Sequence, residues 1–373
     1  MKLDWADAIG FYTLVQLSFL SVVAYNYKKG KRLSNRILSG FMASNAILIA
    51  YWLLWRFQWI SPNQFTVLFS IGGSSYLLLM PFLYLYICSL CDPDFRMKLI
   101  HLLHAIPFVC TGLFRLYANL DGHGAAMVGT LSVSQLEEWS YDVILHLQIL
   151  SYIVASVVTL AEYRKRLKEV YSSIERIDLS WCNLLLAGFT AMWSLDLSQW
   201  ILGTLHAVSG VVIHLLFLVS LLINLTFTLV VAYKGLVQSG SFSGIEELPK
   251  YAASRLKPSE CDTIVEKLIL CMKEEKPYLT PSLAVEDLAK KLRIPSKQLS
   301  QAIHTRLNQN FYDLINAYRI EEAKERMLDP HYQNQTLLAV AFDVGFNSKS
   351  VFNAAFKKHA GMTPKSYKSL PST

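Results

Sequence analysis

The first 233 residues of this chain contain uncharged stretches that are too long for an ordinary soluble fold. Residues 8–27, 37–55 and 57–91 include no Asp, Glu, Lys or Arg. The hydrocarbon core of a bilayer needs about 20 consecutive apolar residues for each spanning helix. Because lipid offers the backbone no hydrogen-bond partners, a spanning segment must be a helix or part of a closed barrel. The two-residue alternation of a barrel strand is absent, so the sequence predicts membrane-spanning helices.

Seven such helices are predicted, which makes residues 1–233 an all-α transmembrane bundle. The uncharged stretch 197–233 is too long for a single span, and Gly203 and Gly210 bracket the turn that is expected inside it. The predicted spans are 8–27, 37–55, 66–91, 99–118, 143–161, 179–195 and the part of 197–233 that follows this turn.

Basic residues are distributed unevenly among the loops that join these spans. Three alternate loops hold twelve Lys and Arg residues, whereas the three other loops hold one, Arg56. The basic loops are 28–36, 92–98 and 162–180. Short loops that are rich in Lys and Arg remain in the cytoplasm. The sequence therefore predicts an N-terminus outside the cell and a C-terminal region in the cytoplasm.

The composition changes sharply towards the C-terminus. The whole chain is 53% hydrophobic and only 17% charged, against about 25% charged residues in ordinary soluble domains. Residues 1–233 hold 15 basic and 13 acidic residues, whereas 281–373 hold 13 and 8. The chain is expected to comprise a seven-span sensor domain at 1–233, a linker with an amphipathic helix at 234–280, and a basic soluble domain at 281–373.

The helix expected at 259–273 places several apolar residues on one face, among them Ile264, Leu268 and Met272. Apolar residues at this spacing form one side of an α-helix. We predict that this face is a contact in a homodimer, because symmetric dimers are the commonest oligomers of soluble proteins.

The C-terminal domain contains two successive pairs of short helices. The first pair is predicted at 285–292 and 296–307, with a turn at Arg293-Ile294-Pro295 between them. A longer helix at 311–328 follows, and the second pair is expected at 336–346 and 348–361. Two short helices joined by a tight turn form a helix-turn-helix, whose second helix enters the major groove of DNA.

This region resembles the AraC/XylS family of bacterial transcription regulators over about 90 residues, 282–370. The segment that carries most of the likeness, at 345–367, reads GFNSKSVFNAAFKKHAGMTPKSY. The first half is also similar to that family, with LAKKLRIPSKQLSQAI followed by NFYDLINAYRIEEAKERML. The resemblance implies a bacterial protein whose C-terminal domain binds double-stranded DNA. Together with the predicted spans, it implies a location in the inner, cytoplasmic membrane.

The resemblance also implies which side chains meet DNA. Base contacts carry over onto Lys297, Ser300 and Gln301 in the first recognition helix, and onto Lys349, Ser350 and Asn353 in the second. Gln and Asn can pair with adenine and Lys with guanine. Phosphate contacts, which position a protein without specifying sequence, are expected from Arg293, Arg306, Lys357, Lys358, Lys365 and Lys368. Two departures from the family pattern are Ala354, where a polar residue is common, and Asn308, where Gly is common.

Polar and ionisable residues within the predicted spans are candidates for a signal-binding site. Such residues are costly in lipid and usually serve a function. The predicted topology places five of them in the outer half of the bilayer: Arg115, His146, Asp196, Gln199 and His214. They form either a pocket for a small-molecule or lipid-like signal, or an internal network, such as an Arg115–Asp196 pair, that fixes the helices. The sequence leaves both interpretations open.

Catalytic, metal and cofactor sites are not expected. The sequence has no HExxH or GxSxG motif and no aspartyl pair, and Cys88 and Cys91 lack the second ligand pair of a zinc site. We therefore predict a non-enzymatic, membrane-embedded transcription regulator. Its expected partners are double-stranded DNA, membrane lipid, an unidentified signal and a second copy of the chain. The alternative is a membrane receptor or transporter whose cytoplasmic tail binds a protein.

Overall fold

The structure is a computed structural model, and its description covers the ranges 4–28, 30–59, 66–118, 127–128, 131–175, 177–205, 207–239, 256–332 and 334–369. Nearly all of these residues are helical, which confirms the all-α prediction. A short antiparallel pair of strands, β1 (Met127–Val128) and β2 (Leu131–Ser132), is the exception. Most of the predicted linker, residues 240–255, lies outside the described residues.

Eight α-helices are described in the part of the chain before that linker. They are α1 (Trp5–Asn26), α2 (Arg32–Arg56), α3 (Thr66–Ser74), α4 (Leu79–Cys91), α5 (Ile106–Ala118), α6 (Val133–Val170), α7 (Trp181–Thr204) and α8 (Gly210–Ser239). A 3₁₀ turn at Ser75–Leu78 joins α3 to α4, and a second, at Leu99–Ala105, leads into α5. Both turns are short and adjoin an α-helix, which is where 3₁₀ geometry is common.

Six stretches among the described residues are long and apolar enough to cross a membrane, instead of the seven predicted. They correspond to α1, α2, α3–α4, the 3₁₀ turn with α5, most of α6, and α8. The predicted sixth span is present as α7, but it is not among these six. The second half of α7 carries Asp196, Ser198 and Gln199, which lower its mean hydropathy.

Within the described ranges 256–332 and 334–369, seven α-helices follow the linker. They are α9 (Pro258–Glu275), α10 (Val285–Leu292), α11 (Ser296–Leu307), α12 (Phe311–Leu328), α13 (Leu337–Asp343), α14 (Lys349–Ala360) and α15 (Pro364–Lys368). The boundaries of α10, α11 and α12 are those expected from the sequence. Two 3₁₀ turns, Pro277–Leu279 and Pro330–Tyr332, stand on either side of the first helix-turn-helix and its long connecting helix.

The chain divides into two compact units. The first comprises residues 1–160 and 180–246, and the second comprises 161–179 and 247–373. This division departs from the expected consecutive domains, because the segment 161–179 belongs with the C-terminal residues. Helix α6 is continuous from Val133 to Val170, about 57 Å at 1.5 Å per residue, so its last ten residues belong to the second unit.

Two hydrophobic clusters build the second unit. The first joins α9, α10, α11 and the start of α12. The second joins the later part of α12 to α13 and α14. The apolar face of α9, with Ile264, Leu268 and Met272, is buried in the first cluster. The prediction that this face forms a dimer contact is therefore wrong, because the face already packs inside its own subunit.

Candidate nucleic-acid interface

The first helix-turn-helix is formed by α10 and α11. The chain leaves α10 through Arg293, which has a left-handed backbone with a φ of 57°. Pro295 then precedes α11, whose Leu299, Ala302 and Ile303 are fully buried. Asn308 ends α11 in the left-handed region, with a φ of 51°, as expected for an Asn at a position where Gly is common.

The predicted base contacts of α11 differ in exposure. Lys297 is exposed and Gln301 is half-buried. Ser300 is only 7% exposed, so its hydroxyl is not available to DNA in this arrangement. The prediction for Ser300 took its position in the helix from the family resemblance alone, which does not reveal how far packing covers the side chain.

The second helix-turn-helix, α13 and α14, turns at Gly345. This residue has a φ of 95°, and a Cβ there would lie 2.9 Å from the carbonyl oxygens of both Tyr278 and Leu279. A residue with a side chain would meet both a strained backbone and a steric clash. The turn consequently needs Gly, because the second helix-turn-helix packs closely against residues 278–279, which precede the first helix-turn-helix.

Helix α14 presents a continuous exposed stripe. Two adjacent exposed residues recur every four positions along the helix. Phe352 and Phe356, on the opposite side, are buried. The exposed residues are Lys349, Ser350, Asn353, Ala354, Lys357 and Lys358. The stripe therefore includes all three predicted base contacts of this helix and two predicted phosphate contacts.

Several predicted phosphate contacts are engaged within the protein. The Nζ atom of Lys358 donates to Asp313 at 2.7 Å, and Arg306 donates to Asp262 at 2.7 Å. Lys368 donates to the carbonyl of Gln335. Lys357 and Arg293 are exposed. Exposed ion pairs of this kind contribute little to stability, so these cations can exchange partners when a phosphate approaches.

Arg319 of α12 organises the centre of the second unit. It is 1% exposed, and burial lowers its pKa to about 10. Its Nε atom donates to the carbonyl of Tyr278 at 2.7 Å and its Nη2 atom to that of Thr280 at 2.9 Å. Its guanidinium also donates to the backbone carbonyl and the hydroxyl of Ser172. A buried cation needs such partners, because desolvation is expensive without them.

Glu322 forms a second polar centre, one helical turn from Arg319. Its side chain is 8% exposed and accepts hydrogen bonds from Lys276 at 2.7 Å, Arg326 at 3.0 Å and Tyr278 at 3.1 Å. Burial raises the pKa of Glu322, but these three donors outweigh it and hold the pKa below its ordinary value. The carboxylate joins α12 to the chain that precedes the first helix-turn-helix.

Sequence reasoning overlooked Arg319, Ser172 and Asn347. Arg319 lies in the Tyr-Arg-Ile segment that carries part of the family resemblance, and it sits on the apolar side of α12 between Ile315 and Ile320. A cation on an apolar face is a usable signal for a buried hydrogen-bonded group. Nothing in the sequence around Ser172 indicates contact with a region that follows it by more than 100 residues.

In the first unit, two of the predicted pocket residues lie in one polar cluster. The hydroxyl of Tyr76 donates to Asp196 at 3.3 Å, and the indole N–H of Trp193 donates to Nδ1 of His146 at 3.1 Å. Asp196 and His146 are also close enough to interact electrostatically. The cluster surrounds the 3₁₀ turn at 75–78.

This turn leaves carbonyl groups outside the regular α-helical ladder, and side chains of α6 satisfy them. Tyr141 donates to the carbonyl of Gly73 at 2.9 Å and Gln148 to that of Leu77 at 3.1 Å. A third predicted residue, Arg115, lies beside the same turn and stacks on the ring of Tyr141 at 4.3 Å. The other two lie elsewhere: Gln199 donates to Ser220, and His214 is exposed and interacts with Asp4.

No group of three or more His, Cys, Asp or Glu side chains that could hold a metal ion occurs within the described ranges. All six cysteines are free thiols, and four of them are buried.

Comparison with known proteins agrees with the geometry of the second unit. A family model described as a helix-turn-helix domain matches residues 288–369. A protein of Streptomyces lividans named as an AraC-like transcription regulator is 27% identical over 127 residues. That match covers 34% of this chain and 40% of the relative, so the chain spans less than half of the relative's length. No solved structure matches the chain. Residues 288–369 thus form a helix-turn-helix domain, and this part of the chain is similar to an AraC-like transcription regulator.

Proposed function

We propose that this protein is a membrane-embedded, one-component transcription regulator, in which a signal sensed by the first unit controls sequence-specific DNA binding by the second. The observation that carries the proposal is the presence, in one chain, of six helices apolar enough to span a membrane and of an AraC-type helix-turn-helix domain. The location that follows is the bacterial inner membrane, with the second unit in the cytoplasm.

The exposed stripe of α14 supports specific recognition. Lys349, Ser350 and Asn353 lie in its first two turns and are exposed together, as expected of residues that reach base edges. Lys357, one turn further, is also exposed and is the proposed phosphate contact. On α11, Lys297 and Gln301 remain available for base contacts, and Arg293 is available for the backbone.

The polar cluster around Asp196 is the proposed signal-binding region. It contains His146, Trp193 and Tyr76 beside a helix that departs from α-geometry. A small-molecule or lipid-like signal that hydrogen-bonds these groups in one state and not in the other would shift the equilibrium between the two states. In a reporter strain, Asp196→Asn should abolish the response while the protein still inserts into the membrane. Unchanged induction would assign the cluster to structure alone.

DNA binding is tested with the full chain reconstituted in nanodiscs. Affinity for the DNA upstream of its own gene is compared with affinity for random DNA of equal length, across a salt series. A specific regulator binds its site at least about 10³-fold more tightly than random DNA, and its affinity falls steeply with salt. Equal affinity for both DNAs would contradict the proposal and favour a receptor whose tail binds a protein.

A homodimer is proposed on symmetry grounds, because paired DNA half-sites match a two-fold axis. Since the apolar face of α9 is buried within the subunit, the dimer contact must lie elsewhere. Binding of the nanodisc-embedded chain to one half-site and to two tests it, since a dimer prefers two half-sites at a fixed spacing.

A further inference from the structure

The segment 161–179, here called the arm, is built into the DNA-binding unit although it lies between α6 and α7 in the chain. Its residue 176 lies outside the described residues. Val170 of the arm is 4% exposed and belongs to the same hydrophobic cluster as α9, α10 and α11. The N–H of Ser172 donates to the carbonyl of Leu283 at 3.0 Å, and Tyr171 forms an antiparallel bridge with Ala284.

The arm is held in one shape by its own hydrogen bonds. The hydroxyl of Tyr163 donates to the carbonyl of Ile177 at 2.8 Å, and the guanidinium of Arg164 donates to the carbonyl of Asp178 at 3.0 Å. Tyr163 and Leu167 are fully buried. The end of α6 and the loop after it therefore form a preorganised element, which loses little conformational entropy when it docks.

The arm bonds to elements of both helix-turn-helix units. Ser172 accepts from the buried guanidinium of Arg319, on the helix that connects the two helix-turn-helix motifs. Ser173 accepts from the side-chain amide of Asn347 at 2.9 Å, in the turn of the second helix-turn-helix. The bridge to Ala284 lies at the start of the first helix-turn-helix. The arm therefore contacts both helix-turn-helix motifs and the helix between them.

The last turn of α6 stands beside the DNA-reading faces. Lys168 lines one wall of a cleft of about 350 Å³, and Ser350 and Ala354 of the exposed stripe line the other. The Nζ atom of Lys168 lies 5.6 Å from the ring of Tyr312. The neighbouring Glu169 interacts electrostatically with His304, which is exposed on α11, seven residues after Lys297.

This placement conflicts sterically with DNA. The major groove is about 12 Å wide and admits one helix with its side chains, which measures about 10–12 Å across. When α14 enters a groove, the phosphate strands that border the groove must pass along both sides of it. The end of α6 occupies one of those sides, next to Ser350 and Ala354.

We propose that the arm is an internal competitor of DNA: docked, it stands beside the exposed stripe of α14, where a bordering phosphate strand would pass, and specific binding requires that it move away. The inference rests on the proposed function and adds its regulation. The competitor is the end of α6, whose earlier residues belong to the first unit. A signal in that unit would therefore act through α6.

A disulfide between the arm and the first helix-turn-helix tests the proposal in the full chain. Opposed residues of an antiparallel bridge have Cα atoms about 4.5–5.5 Å apart, within the span of a disulfide. Tyr171→Cys with Ala284→Cys therefore locks the docked arm without touching α11 or α14. The exposed Cys110 is replaced by Ser in every variant, and each single cysteine variant serves as a control under the same oxidation.

The oxidised double variant in nanodiscs should bind its upstream DNA at least about tenfold more weakly than the reduced form, because locking reduces the fraction of the binding-competent state. The single variants should not change on oxidation. DNA should in turn slow the formation of the disulfide, since coupling between two binding events is reciprocal. Equal or tighter DNA binding by the oxidised form would overturn the proposal alone. Absence of specific binding by the reduced form would overturn both this proposal and the proposed function.

Ser172→Ala gives a second, opposite readout. It removes one acceptor of Arg319 and leaves the backbone bridge to Ala284 in place. A competing arm that is held less tightly should permit DNA binding severalfold tighter than in the unaltered chain. A fall in affinity would mean that the arm supports the DNA-binding conformation, and would contradict the proposal.

Discussion

The two helix-turn-helix units of this protein are built from the same motif but are stabilised differently. The first rests on α9, whose aliphatic face fills one side of its core. The second has an aromatic core in which the ring of Phe356 lies 5.6 Å from Phe352 and 5.4 Å from Tyr367. Neither motif is large enough to bury a core alone, so each needs a partner element, and the chain supplies a different one for each.

The two recognition helices, α11 and α14, also differ in how much of their predicted base-reading surface is exposed. On α11, Ser300 is buried and Gln301 is half-buried, whereas on α14 the whole predicted base-reading stripe is exposed. The exposed stripe is also the one beside the arm. Under the proposed function, we therefore expect α14 to read more of the DNA sequence and to be the regulated helix, and α11 mainly to position the domain.

The largest expected effects come from truncating the two cores. Phe356→Ala and Leu268→Ala remove side chains that are 0% and 1% exposed, and truncations of this kind cost about 3–5 and 2–5 kcal/mol respectively. Hydrogen exchange should show lost protection in α13–α14 for the first variant and in α9–α11 for the second. If either variant lowered protection equally in both helix-turn-helix motifs, the two cores would unfold together, and the proposed difference between them would be wrong.

Gly345→Ala should be the next most damaging change. A left-handed backbone costs a residue with a Cβ about 1–2 kcal/mol, and the contacts at 2.9 Å with Tyr278 and Leu279 add a steric penalty. Gly361→Ala is the matched control. Its φ is 71°, but no atom lies within 4 Å of the added Cβ, so only the conformational cost applies. Thermal unfolding of the two variants should differ, and equal melting temperatures would show that the second helix-turn-helix can move away from residues 278–279.

The exposed stripe predicts unequal effects on DNA recognition. Asn353→Ala should remove about 1–3 kcal/mol of discrimination at one base position. Gln301→Ala should have a smaller effect, because that side chain is half-buried. Competition binding against a set of single-base operator variants measures both. A larger loss for Gln301→Ala would reverse the assigned division between the two recognition helices.

Lys357→Ala should weaken binding to all DNA sequences by a similar factor. Loss of one phosphate contact reduces the slope of log affinity against log salt by about 0.9. Lys365→Ala, on α15 and also exposed, provides a comparison outside the stripe. A change in sequence preference, with no change in slope, would place Lys357 on a base edge.

The smallest expected effect is a dependence of stability on acidic pH. Because the pKa of Glu322 is held below its ordinary value of 4.5, its contribution to stability is present above that value and is lost as the pH falls through its folded pKa. The melting temperature should therefore fall on acidification below about pH 4.5, and it should fall less in Glu322→Gln. An identical pH profile in the two proteins would show that the hydrogen bonds to Lys276 and Arg326 do not depend on the charge.

Much of this architecture could be predicted because it depends on local patterns. Uncharged runs placed the apolar helices, and apolar spacing placed α10, α11 and α12 at their observed boundaries. The same kind of pattern predicted α13 and α14 at 336–346 and 348–361, close to their observed bounds, and the family match at 288–369 includes both. Roles of individual residues at DNA, the signal and the dimer remain predictions.

Other features could not be predicted, because they depend on contacts between distant residues. The exposure of Ser300 is decided by packing that helical periodicity alone does not specify. The predicted intramembrane set divided for the same reason, since Asp196 and His146 share a cluster whereas His214 lies near Asp4. Periodicity gives the face of a helix, but not the neighbour that the face meets.

The sequence by itself determined which helices are apolar enough to span a membrane, which region is polar and basic, and the class of each element, because hydrophobicity, charge and helical spacing act within a few residues of one another. Only the tertiary structure decided that residues 161–179 belong with the DNA-binding unit. The basic residues of that segment predict a cytoplasmic loop, and nothing local marks it as part of a core. Its place is set by Val170, Ser172 and their partners more than 90 residues away, where burial and the hydrogen bonds of Arg319 outweigh the hydration of the free loop.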